Sequence, residues 1–152
     1  MLNPLFPRQA DNSFHGFKPA LWIFGALAVV RVIMSLNSIF NGRTIITTAD
    51  GIPLDTFTPP GAQTVISLFA LLALANLIIA LVCIVVLIRY RALVPFLFLL
   101  LLLQHLARTA IVKFIPIVRS GAPPAGMINL TLVSLTFLGF ALSLWQRGRA
   151  ES

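Results

Sequence analysis

Gln104, His105 and Arg108 lie inside an apolar run that opens with five leucines, Leu99 to Leu103. At about 100° per residue the three fall within one helical arc of about 100°, with Arg108 between the other two. An amide both donates and accepts hydrogen bonds, a neutral imidazole does so through its two nitrogens, and a guanidinium only donates. Together these groups suit one chemistry, which is holding an anion or a carbonyl oxygen where water is scarce. A second cation, Arg31, stands about ten residues from either end of another apolar run, roughly 15 Å at 1.5 Å per residue. An arginine at that depth costs about 2.5–3.5 kcal/mol on insertion scales, and it cannot lose its proton to avoid the cost.

No acid shares an apolar run with these cations, because the four acids are Asp11, Asp50, Asp55 and Glu151. Three kinds of partner remain. Asp50 and Asp55 can fold inward as counter-ions. Asn76, Gln104, the serines and backbone carbonyls can form a neutral cage. An external anion, such as a lipid phosphate, a small carboxylate or an inorganic ion, can enter. Intramembrane ionisable residues mark functional sites by default. The expected site is therefore a polar cavity of Arg31, Asn76, Gln104, His105 and Arg108 that opens toward the periplasmic side, with Asp50 or Asp55 as gate or counter-ion. Lys113 points away from Gln104 near the helix end, where its ammonium snorkels to the headgroups.

Other chemistries lack their residues. Cys83 is the only cysteine, so no intrachain disulfide, CxxC relay or thiolate zinc site exists. His15 and His105 are separated in depth, which disfavours a haem held by two histidines. No carboxylate sits within a span for proton-coupled export. Ser35 and Ser38 have no hydrolase spacing to His105 and read as hydrogen-bonding groups at a helix interface. The expectation is a protein that is not an enzyme, with no catalytic residue, cofactor or metal. Its leading function is that of an accessory or assembly subunit, or a binder of a lipid or anionic ligand. The alternatives are a small transporter or anion pore acting as a homo-oligomer, and a quinone-binding redox subunit in which His105 bonds a quinone carbonyl. A larger membrane complex is a further possible setting.

The elements that must position these residues are transmembrane helices. Of 152 residues, 59% are hydrophobic and 10% charged, against roughly 45–50% and 25% in soluble domains. The net charge of +7 comes from cations that flank apolar runs, so it reports topology and not nucleic-acid binding. Four runs reach the about 20 residues that a bilayer requires: 19–40, 63–88, 92–115 and 127–145, joined by outer loops 41–62 and 116–126. Arg8, Lys18, Arg89, Arg91, Arg147 and Arg149 gather on one side, and only Arg43 and Arg119 on the other. Trp22, Tyr90 and Trp145 fall at the richer side. Both signals place both termini in the cytoplasm. The fold class is thus an all-α integral membrane protein, an antiparallel four-helix transmembrane bundle forming a single domain over 1–152. It is multi-pass in the bacterial inner membrane, and the first span is retained as an anchor.

The connection "RYR" is short enough to make the second and third spans neighbours. Small and polar residues line one face of three spans: Phe24, Ala28, Arg31, Ser35, Ser38 and Gly42; Ala73, Asn76, Ala80 and Cys83; and Asn129, Thr136 and Ser143. Helices approach closely at such faces in lipid.

In layout, the polar residue in the first span, the loop "GIPLDTFTPP" and the run "LIIALVCIVVLIRYRAL" resemble small four-span bacterial inner-membrane proteins, and the DoxX-like group among them. The resemblance covers the whole chain and implies the four-span layout. DoxX-like proteins tend to carry glycines and a glutamate in the second span. Here Asn76 stands in a glycine-free helix, so no function or site residue is carried over.

Overall fold

The computed structural model describes residues 10–121 and 123–145, together with residues 5 and 7. Arg8, Arg147 and Arg149 of the charge argument lie outside the described residues. Four helices are each long and apolar enough to cross a membrane: α1 (Pro19–Phe40), α2 (Pro59–Arg89), α3 (Val94–Phe114) and α4 (Ala125–Leu144). The described structure is helical, as the composition requires of a multi-pass membrane protein.

The helix limits have local causes. α2 starts at Pro59 and not near Gln63. The two prolines occupy its first turn, where a missing N–H costs nothing, and the Thr58 hydroxyl accepts from the Gly61 N–H at 3.3 Å. α3 stops at Phe114, two residues before Pro116, which disfavours helix at its predecessor. α4 follows Pro124 directly.

The long connection after α1, expected as an outer loop over 41–62, is partly helical. It continues as a helical turn (Gly42–Thr44), a wide turn of π geometry (Ile45–Ala49) and a 3-10 turn (Leu54–Thr56), and it buries Ile46 and Leu54. Gly51 follows in the left-handed region at φ 69°. Its carbonyl accepts from the Ser120 N–H at 2.7 Å and the Ser120 hydroxyl at 3.2 Å. A Cβ at Gly51 would lie 3.0 Å from the Ser120 carbonyl oxygen and 3.1 Å from Pro123. The two long connections are thus latched together at one end of the bundle, the loop end. At the opposite, N-terminal end, the Phe17 N–H donates to the Leu142 carbonyl and the Ala92 N–H to the Asp11 carbonyl. Gly16 lies against the Ser143 carbonyl so closely that any Cβ would overlap it.

α1 is the hub. It packs along α2 and against α4, and α4 packs against α3. Despite the short connection of Tyr90 and the 3-10 turn Arg91–Leu93, α2 and α3 touch only sparsely. The short connection makes them neighbours, yet they share few contacts along their length and are bridged at mid-span by Gln104 and Asn76. α1 and α2 both bury small residues, Ala20 and Ala28 on one and Ala73, Ala80 and Cys83 on the other, whereas the α3 residues nearest α2 are mainly leucines.

The core is one cluster near the N-terminal end: Ala20, Phe24, Leu27, Ala28, Cys83, Val86, Val94, Phe98 and Leu101. Phe24 and Phe98 meet edge to face, with ring centroids 5.0 Å apart and planes at 69°. Gly139 of α4 makes room for this pair, since a Cβ there would overlap the Phe98 ring. Cys83 is a buried packing residue. Toward the loop end the packing thins out. α3 buries nothing beyond His105, and α4 buries nothing before Thr136.

Candidate functional site

Arg31 is half-buried on α1 where the apolar core ends. Leu27 and Ala28 lie one turn below it and Ser35 one turn above, so α1 turns the same face inward throughout. Across from it, α3 presents Gln104 and His105 just after the buried Leu101. The Arg31 Nη1 donates to Gln104 Oε1 at 3.1 Å, and Nη2 lies 2.9 Å from His105 Nε2. A guanidinium has no acceptor, so His105 Nε2 accepts and the ring is the neutral tautomer with its proton on Nδ1. Gln104 then passes the network to α2, because its Nε2 donates to Asn76 Oδ1 at 2.9 Å. The Asn76 amide in turn donates to the Leu72 carbonyl at 3.0 Å.

Three helices therefore meet in one chain of hydrogen bonds, from His105 through Arg31 and Gln104 to Asn76. Every acceptor that Arg31 uses is neutral. No salt bridge forms among the described residues, so the charge on Arg31 is hydrogen-bonded without being neutralised. Only two of the five N–H donors of the guanidinium are engaged by Gln104 and His105.

Arg108 departs from the expectation. It is exposed where a buried centre was expected, and its Nη1 reaches across to Asn129 Oδ1 of α4 at 3.4 Å. The cause is the open packing of this half, since α3 has left the core one turn earlier. Arg108 is still close enough for its positive field to reach Arg31 and His105.

The two loop acids also separate. Asp55 is exposed and meets neither arginine, which removes it as a counter-ion. Asp50 is 8% exposed and lies within electrostatic reach of Arg108 and Arg119 without a direct ion pair. Burial raises its pKa above the ordinary aspartate value, and the attraction of the two arginines opposes that rise.

Arg119 enters the charge pattern only as a topology signal, yet its Nε is buried without a hydrogen-bond partner. The Gly51–Ser120 latch holds it in place, and the one sequence signal for that latch is the turn-prone Asp50-Gly51 pair. No family model, no curated protein and no solved structure matches this chain.

Proposed function

We propose that this protein is a non-catalytic membrane binder of an anionic amphiphile. In this reading the four helices run antiparallel in a bacterial inner membrane, with both termini cytoplasmic and the loop end periplasmic, as the cation bias and the interfacial tryptophans suggest. The observation that carries the reading is the state of Arg31. A guanidinium within a span, held only by Gln104 Oε1 and His105 Nε2, is solvated and positioned but keeps its net charge. Charge-assisted pairing with an anion is the strongest interaction still open to it. Arg108, one helical turn further toward the loop end, extends the positive field along the route from the periplasmic side. A neutral cage alone would equally well solvate Arg31, but it gives no reason to keep a second cation so near.

The test is native mass spectrometry of the detergent-purified protein, paired with thermal shifts in the presence and absence of membrane lipid extract. Wild type is expected to retain an anionic lipid-like ligand and to gain Tm with extract. Arg31→Gln should lose both while remaining folded. Equal retention and an equal shift in Arg31→Gln would overturn the reading. Reporter fusions after residue 50 should read periplasmic, and a cytoplasmic reading would overturn the orientation.

A further inference from the structure

Between α2 and α3, on the N-terminal side of Gln104, lies a cleft of about 290 Å³. Ile78, Ile79 and Val82 form one wall, and Leu97, Leu100 and Gln104 the other. The floor is made by Cys83 and Leu101, both part of the core. The lining is apolar apart from Gln104, which stands at the end nearer the loops. Gln104 is also the residue whose Oε1 accepts from Arg31 and whose Nε2 donates to Asn76. The cleft and the polar network thus share one side chain.

From this juxtaposition we infer that the cleft holds the hydrocarbon chain of a single-chain amphiphile whose carboxylate meets Arg31 beside Gln104. The inference rests on the proposed binding of an anionic amphiphile and names its class. The volume lies at the low end of ligand pockets, about 300–1,000 Å³, which suits one chain and not the two of a phospholipid. The charge selects the head. Arg31 has donors to spare and no carboxylate of its own, and a planar carboxylate accepts two parallel N–H bonds from a guanidinium. Depth selects a carboxylate over a phosphate. Gln104 lies ten residues before the end of α3 at Phe114, about 15 Å along the helix. A carboxylic acid can reach that depth as the neutral acid, whereas a phosphate keeps its charge. On meeting Arg31 the acid gives its proton up to water on the loop side and stays as the carboxylate. The chain then runs from Gln104 toward the N-terminal end, between α2 and α3.

The experiment uses the full chain in detergent, freed of lipid, with oleate, oleyl alcohol, a lysophosphatidate and a decyl-substituted benzoquinone as probes in native mass spectrometry titrations. Val82→Trp and Leu100→Trp fill the cleft from opposite walls. Both residues are 49% and 43% exposed respectively, so the core beneath is left in place. Leu130→Trp, on a residue 68% exposed on α4, is the control. Oleate should bind wild type and Leu130→Trp alike, and at least tenfold more weakly to both cleft variants and to Arg31→Gln. Oleyl alcohol and the lysophosphatidate should bind wild type at least tenfold more weakly than oleate. If Arg31→Gln loses oleate but both cleft variants keep it, anion binding stands and the cleft assignment is overturned. If all variants bind oleate equally, both fail. Preference for the quinone or the lysophosphatidate over oleate would overturn the carboxylate.

Discussion

The two halves of this bundle are built on different physics. In the N-terminal half the helices are drawn together by side-chain packing, centred on Phe24, Phe98 and the notch that Gly139 provides. In the loop half α3 and α4 leave apolar residues such as Leu106 and Leu130 exposed, and polar contacts tie the elements together around the buried Ile46 and Leu54. Those contacts are the Arg31–Gln104–Asn76 chain and the Gly51–Ser120 latch. Lipid tails are as apolar as leucine, so helices associate in a membrane through close packing and interhelical hydrogen bonds. Here the two means are segregated along the axis. The packed core fixes the helix positions and floors the cleft, and the charge that binding can use lies just beyond it, where the packing loosens.

The contrast breaks most directly at Phe98. Phe98→Ala should cost about 3–5 kcal/mol, read as reversible unfolding in mixed detergent and SDS, while Leu106→Ala on the lipid face should stay within about 0.5 kcal/mol. Similar losses for the two would mean that packing is not concentrated where the core lies. Next comes Gln104→Leu, which removes the link between Arg31 and Asn76. Interhelical hydrogen bonds in membranes measure about 0.6–1.7 kcal/mol each, so the same assay should show a loss of about 1–2 kcal/mol. A loss as large as that of Phe98→Ala would erase the distinction between the halves.

The smallest effect is expected at Asp50. Its folded pKa is raised, chiefly by burial. Its contribution to stability is therefore fully present below the ordinary aspartate pKa and is lost as pH rises through the raised value. Asp50→Asn should flatten that part of the pH dependence and slightly raise Tm at neutral pH. A fall in Tm at neutral pH would show that attraction to Arg108 and Arg119 outweighs burial, and would restore Asp50 as a working counter-ion.

Much of this was legible in the chain because it depends on local properties. Length and hydropathy set the four spans, since a bilayer demands about 20 apolar residues whatever their neighbours. The small-residue faces of α1, α2 and α4 turned inward as their spacing required. Ala28, Ser35, Ala73, Ala80, Thr136 and Ser143 are all buried. The helix start at Pro59 was readable too, in Thr58 and the two prolines, but apolarity drew attention to Gln63. The anomaly of Arg31 was equally plain, because its cost follows from depth alone.

Only the tertiary structure decided which neighbours answered that cost. Helical periodicity gives each residue an angle about its own axis, and says nothing of how far two axes diverge. Gln104, His105 and Arg108 share one arc on α3, yet Gln104 and His105 reach Arg31 while Arg108 turns to Asn129 and stays exposed. Asp50 and Asp55 are five positions apart in one loop. A latch at Gly51 buries the first and leaves the second exposed. Beside that same latch the Nε of Arg119 is buried. Despite their short connection, α2 packs mainly along α1 and touches α3 little. The chain thus determined its spans and the problem posed by a charge within one, and helix packing determined the solution.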